Sequence, residues 1–268
     1  MFVDLKDGGK IYYEIYGDSG PWIVLTNGIM MSTASWKDFI KPFSKKNRLL
    51  LFDFRDQGQS SKIIKEEYGC DFHVPDIIEL LDHLNIDKIN IVGVSYGGQV
   101  SLELMMNNQH RVQTLMLVTA MPMVSNHLRA LGDSWDLAAK MNDGEAFFKV
   151  AIPTIYSGPF YEKNIEWLER RKKLFGKLLT KEWFEGFLRL SYSAKNFDRR
   201  DVLDKIDVPT LLLCGGKDII TPKEQMVEMS RIIKDATLLE IPDGGHASFL
   251  EKPKEFMTSI LGFVSLNN

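Results

Sequence analysis

The sequence predicts an α/β fold: a mostly parallel central sheet flanked by helices, with an inserted helical cap. Three observations predict it. Apolar, β-rich runs alternate with segments of helical spacing over most of the 268 residues, which is the pattern of successive βα units. The alternation stops between about residues 122 and 204. A serine between glycines, Gly93-Val94-Ser95-Tyr96-Gly97-Gly98, stands where one apolar run gives way to a helical one.

Residues 11–16 and 22–26 read as strands, and Gly17-Asp18-Ser19-Gly20-Pro21 between them reads as a hairpin-type turn. Residues 49–54, 89–94, 114–118, 210–214 and 237–241 are rich in Leu, Ile and Val and read as buried strands. Helical spacing marks residues 36–43, 75–84 and 96–107 between them, and 224–233 and 254–263 near the C-terminus. The opening strands are expected to be antiparallel and the rest parallel. Residues 1–121 and 205–268 then form the core, and residues 122–204 the cap.

Within the cap, residues 165–179 and 181–192 are amphipathic at helical spacing. The cap holds thirteen of the chain's 29 aromatic residues. Most of these rings must pack the cap onto the core, and a few are expected to line an apolar pocket. Trp135, Phe147 and Phe148 are candidates, with the loop residues Met30 and Met121. The run Arg170-Arg171-Lys172-Lys173 reads as a solvated helix face.

A formal net charge of -3 gives no electrostatic case for nucleic acid or for an anionic membrane. Cys70 and Cys214 form no disulfide framework, and Cys214 reads as a small buried hydrophobe ending a strand. The start, MFVDLKDGGK, lacks the basic segment and apolar core of a signal peptide. No apolar run approaches the roughly 20 residues of a membrane helix. A soluble, cytoplasmic protein is the expectation.

The chemistry is read from the strand ends. A nucleophile on a tight strand-to-helix turn needs small residues two positions before and after it. The helix that follows points its positive end at Ser95, where an oxyanion would form. A serine needs a base, and the base an orienting acid. Asp218 follows the strand at 210–214, and His246 follows the strand at 237–241 in Pro242-Asp243-Gly244-Gly245-His246. Asp218 could instead cap the helix near Pro222. Asp243 is a rival acid whose three-residue spacing from His246 suits turn-shaping. The other histidines fit the base role less well: His73 and His83 flank the helix before the elbow strand, His110 ends the helix after it and His127 opens the cap. The order Ser95, Asp218, His246 at three strand ends favours a catalytic constellation. Its oxyanion hole would use the backbone N–H of Tyr96, next to the nucleophile, and of Ile29, in Asn27-Gly28-Ile29-Met30 after the strand at 22–26. Asn27-Gly28 could also be a simple turn.

With these motifs the chain resembles the α/β-hydrolase superfamily along essentially its whole length. Asp53-Phe54-Arg55-Asp56-Gln57-Gly58-Gln59-Ser60 is similar to that family's Asp-x-Arg-Gly-x-Gly-x-Ser loop, with Asp56 in place of the first glycine. Ile241-Pro242, Gly245-His246 and the helix start at Glu251 to Pro253 also fit its C-terminal pattern. Many members carry His where this chain has Asn27. Enol-lactonases of the 3-oxoadipate type are similar in carrying Asn there, but follow it with Ser rather than Gly. The resemblance implies hydrolysis of a carboxylic ester, lactone or thioester with an apolar portion, through an acyl-enzyme on Ser95. Serine at the elbow argues against haloalkane dehalogenases and epoxide hydrolases, which use Asp there. An acyltransferase, a carbon–carbon bond hydrolase or a small-molecule sensor of the same fold are the alternatives. No phosphate loop, dinucleotide fingerprint or metal-ligand spacing occurs, so no cofactor and no metal are expected.

Overall fold

The computed structural model describes residues 1–63 and 67–268. In chain order it has β1 (Phe2–Asp4), β2 (Lys10–Tyr16), β3 (Trp22–Thr26), a 3-10 segment (Thr33–Phe39) leading into α1 (Ile40–Phe43), β4 (Arg48–Phe52), α2 (His73–His83), β5 (Ile89–Val94), α3 (Tyr96–Asn108) and β6 (Val112–Val118). A helical stretch follows: α4 (Asn126–Lys140), α5 (Gly144–Ile155), α6 (Gly158–Lys163), α7 (Ile165–Leu178) and α8 (Lys181–Ala194). Then come β7 (Thr210–Gly215), α9 (Lys223–Ile232), β8 (Ala236–Ile241), α10 (Ser248–Glu251) and α11 (Pro253–Leu266).

The strands make one eight-stranded sheet in the order β1-β2-β4-β3-β5-β6-β7-β8. β1 with β2 and β2 with β4 are antiparallel, and every later pairing is parallel. The hairpin expected from residues 17–21 does not form. β4 lies between β2 and β3, pairing antiparallel with one and parallel with the other. The turn itself is present, with Gly17 at φ 79. A Cβ on Gly17 would meet the Ser44 carbonyl at 2.9 Å, because the lead-in to β4 crosses directly over this turn. Local turn chemistry was legible, and the intercalating strand was not. β8 also differs from expectation: it is an edge strand of alternating exposure rather than a buried one.

The sheet buries apolar side chains on both faces. One face packs Val24, Leu50, Ile91, Leu115 and Leu212 with α2, α3 and α9. The other packs Leu25, Leu51, Val92, Met116 and Leu213 against Trp36, Phe39, Phe43, Phe249 and Phe256. Trp36 and Phe39 sit within 6.3 Å, ring centre to ring centre, of Phe249 and Phe256, an aromatic cluster that ties α10 and α11 to the 3-10 segment after β3. Of the helices between β6 and β7, α4, α5, α6 and α8 are started by local chemistry. Ser125, Asp143, Ser157 and Thr180 accept the backbone N–H of Leu128, Ala146, Phe160 and Trp183 respectively, satisfying donors the helix leaves open.

His73, the first residue of α2, is fully buried against Phe54, and its Nε2 lies 3.0 Å from the Tyr96 hydroxyl. Burial, with the Arg55 charge nearby, lowers its pKa from 6.5 to about 3. The folded value lies below the unfolded one, so stability from this neutral imidazole is present above pH 6.5 and is lost as pH falls towards 3. The Asp76 carboxyl, which burial pushes up to about 6, acts in the opposite sense near that window. Its effect cancels when wild type is compared with His73→Gln. Urea titrations should show the stability advantage of wild type over this variant shrinking by about 1 kcal/mol between roughly pH 6.5 and 5.5. A difference that does not change with pH would exclude a neutral buried His73.

Candidate active site

β5, buried along its whole length, ends at Val94, and the chain turns into α3 through Ser95 at φ 52 and ψ -114. A non-glycine residue in this region is strained. Neighbouring glycines make the turn possible. A Cβ on Gly93 would meet the Gly98 Cα at 2.6 Å, and one on Gly97 would meet the Thr26 carbonyl oxygen at 2.7 Å. The Ser95 N–H donates to the Val118 carbonyl of β6 at 3.0 Å, fixing the turn against the next strand.

The Ser95 Oγ lies 2.9 Å from His246 Nε2, and His246 Nδ1 lies 2.9 Å from Asp218 Oδ2. The Asp218 side chain has no exposed surface. Its Oδ1 accepts the N–H groups of Ile220 at 2.8 Å and Thr221 at 2.9 Å, and its Oδ2 also accepts the Thr221 hydroxyl at 2.5 Å. Burial would raise the carboxyl pKa, but the attraction of His246 and these hydrogen bonds hold it below 3.8. Asp218 thus has two contacts rather than one. One oxygen shapes the loop and the other faces the histidine. It does not cap α9, whose N-cap position is Pro222. Asp243 is exposed, and the imidazole Nδ1 faces Asp218 instead.

Two further residues hold this arrangement, in a role not assigned to them from the sequence. The Thr221 hydroxyl donates to Asp218 and lies 3.4 Å from His246 Nδ1. Glu251 accepts the Gly245 N–H at 3.1 Å, the Ser157 N–H at 3.1 Å and the Ser157 hydroxyl at 2.5 Å. It thereby fastens the histidine loop to the start of α6. Asp218 Oδ1 accepting the Ile220 N–H two residues on is an Asx-turn, which an aspartate in a loop allows to be read. Glu251 is marked locally only as part of the helix start at residues 251–253, which says nothing of its contact with Ser157 and Gly245.

The loop after β3 passes beside the serine: a Cβ on Gly28 would lie 3.6 Å from the Ser95 Cβ. The Asn27 side chain does not enter the site. Its Nδ2 donates to the Phe52 carbonyl at 3.0 Å and its Oδ1 accepts the Trp36 indole N–H at 2.8 Å. Tyr96 opens α3, so its N–H has no acceptor within the helix. Ile29 and Met30 are half-buried and Met121 is buried. Trp135 is buried with an unpartnered indole N–H. Phe147 is wholly enclosed, its ring 5.0 to 5.7 Å from those of Phe187, Trp183 and Phe184, and Phe148 packs on Phe175 at 5.1 Å. These two rings pack the helical stretch in this conformation and offer a substrate almost no surface. Among the described residues no His, Cys, Asp and Glu cluster could hold a metal ion, and no helix is long and apolar enough to cross a membrane.

Comparisons with known proteins agree with this fold. The chain is 24% identical over 262 residues to RutD of Yersinia enterocolitica, covering 96% of this chain and 93% of that one; the relative's name assigns it provisionally as a carbamate hydrolase. The enol-lactonase of Burkholderia xenovorans LB400 superposes with a TM-score of 0.87 at 23% identity, over 99% of this chain and 100% of that one. MGS-M2, an alpha/beta hydrolase enzyme from a Medee basin deep-sea metagenome library, superposes with a TM-score of 0.95 at 36% identity, over 99% of this chain and 97% of that one. A family model described as the alpha/beta hydrolase fold matches residues 21–253, and the chain belongs to that family.

Proposed function

We propose that this chain is a serine hydrolase that cleaves a carboxylic ester, lactone or thioester through an acyl-enzyme. The observation that carries this reading is the unbroken hydrogen-bonded chain from Ser95 Oγ through His246 to Asp218. Ser95 Oγ attacks the carbonyl carbon while His246 Nε2 takes its proton. His246 then gives that proton to the leaving group, and the bond to the leaving group breaks. A water activated by the same nitrogen releases the acid. Asp218 fixes the tautomer and stabilises the imidazolium. The backbone N–H groups of Ile29 and Tyr96 receive the oxyanion.

The substrate carries an apolar portion. Residues 122–204 act as a cap whose helices, with Met30, Met121 and Trp135, exclude water from the acyl or alkyl group. The relatives' names point to carbamates and enol-lactones. Both present an acyl carbonyl bound to a heteroatom leaving group, which is what this constellation can attack.

An active-site-directed fluorophosphonate should label the wild-type chain once and leave Ser95→Ala unlabelled; equal labelling of the two would remove Ser95 from the role. Asp218→Asn should lower kcat by a large factor, about 10⁴ where the same change was made in a serine protease, while Asp243→Asn stays near wild type. The reverse order of effects in folded proteins would reassign the acid. Across p-nitrophenyl esters of increasing acyl length, kcat/KM should rise roughly fourfold per methylene until the pocket is full, from about 0.8 kcal/mol per buried group. A flat or falling profile from acetate upward would count against an apolar pocket.

A further inference from the structure

We propose that helix α8 is a positioning element for both halves of the oxyanion hole, acting through Arg189 on the Ile29 side and through Ser193 on the Tyr96 side. The inference rests on the serine-hydrolase reading above. Gly186, Arg189, Leu190 and Ser193 are spaced by three and four residues and so share one face of α8. That face lies on the core. Leu190 is buried there, and a Cβ on Gly186 would meet the Asp56 carbonyl oxygen at 2.7 Å.

The first arm starts at Arg189. Its Nε and Nη2 donate to the two carboxylate oxygens of Asp56 at 2.9 and 2.6 Å, a bidentate pair. The Asp56 side chain is fully buried, and its backbone is held at φ 70. Glycine would sit there without strain, so aspartate is present for its carboxylate. A buried ion pair of this kind contributes little net stability, which points to geometry as its use. The next residue is Gln57, also buried, whose Nε2 donates to the Gly28 carbonyl at 2.9 Å and the Ile29 carbonyl at 3.3 Å. In a trans peptide the C=O and the following N–H point in opposite directions. Holding the Gly28 oxygen therefore aims the Ile29 N–H.

The second arm starts at Ser193. Its hydroxyl proton goes to the Leu190 carbonyl at 2.8 Å, so towards the Tyr96 hydroxyl, also at 2.8 Å, it acts as acceptor. The Tyr96 oxygen in turn accepts from His73 Nε2 at 3.0 Å. This proton count leaves His73 Nδ1 as a bare lone pair, in agreement with its lack of a hydrogen-bond partner. Tyr96 is thus held at the far end of its side chain, and its N–H is the other half of the hole. Two donors on separate elements are steered by contacts four residues apart on one helix.

The test uses the full chain with p-nitrophenyl butyrate, comparing wild type, Ser95→Ala, Arg189→Met, Arg189→Lys and Ser193→Ala, with thermal unfolding to check folding. A misaimed donor should cost less than a deleted one, so kcat should fall about tenfold in Arg189→Met and in Ser193→Ala, with KM held within about twofold. Arg189→Lys should lie between, since an ammonium cannot make the bidentate contact. An aryl trifluoromethyl ketone supplies a second readout. Ser95 Oγ adds to its carbonyl carbon, the hydroxyl proton moves to His246, and the carbonyl oxygen becomes the oxyanion. Its inhibition constant should rise by the factor by which kcat/KM falls. Unchanged kcat in both variants, or a change confined to KM, overturns the role of α8 while leaving the hydrolase reading intact. Wild-type turnover that survives Ser95→Ala overturns both. If Arg189→Met does not fold, Ser193→Ala, which removes one oxygen, decides the outcome.

Discussion

Ser95 is held at φ 52 and ψ -114, a conformation that costs about 1–3 kcal/mol for a non-glycine residue, and the surrounding packing over-determines it. β5 is enclosed by β3 and β6 at its sides and by core on both faces. The chain leaves β5 by a sharp turn into α3, and that turn presents the serine hydroxyl at the C-terminal edge of the sheet. The same device recurs one strand along. Thr119, after β6, sits at φ 42 and donates its N–H to the Leu213 carbonyl at 2.9 Å, as Ser95 donates to Val118. Consecutive strands therefore end in a staircase, each end pinned to its neighbour. A β-branched residue at positive φ is a backbone outlier, and its presence beside the elbow shows that this edge is built for position rather than for relaxed geometry.

Much of this was legible because it follows from short-range rules. Buried parallel strands are continuous apolar runs, and the loops after them carry Ser95, Asp218 and His246 at identifiable distances. What stayed hidden depends on contacts remote in sequence. β1 is three residues long and too short to show a period. The insertion of β4 between β2 and β3 is a choice between pairings that the turn at residues 17–21 cannot express. Helices α4, α5 and α6 carried readable N-caps in Ser125, Asp143 and Ser157, but α5 holds a proline, Pro153, that blurs its helical pattern. Gln57 and Glu251 are ordinary polar residues by sequence, and only the approach of a second element gives either of them a task.

Four carboxylates around the site, Asp53, Asp56, Asp218 and the half-buried Glu251, follow one logic. Asp53 accepts the Thr33 N–H at 2.7 Å and the Gln59 N–H at 2.9 Å, joining the loop after β3 to the loop after β4. Asp56 joins that second loop to α8, Asp218 joins the loop after β7 to His246, and Glu251 joins the histidine loop to α6. Each removes a charge from water and recovers the cost by accepting several donors at once. Apolar side chains of the same volume would serve stability as well or better. They could not set direction, because packing contacts tolerate sliding where a hydrogen bond does not. A site whose chemistry turns on donors placed to within a few tenths of an ångström is better fixed by acceptors with defined lone pairs than by shape alone. Asp53, Asp56 and Asp218 therefore stand in loops, where no strand or helix of its own holds the backbone, and Glu251 stands at the last residue of the short α10.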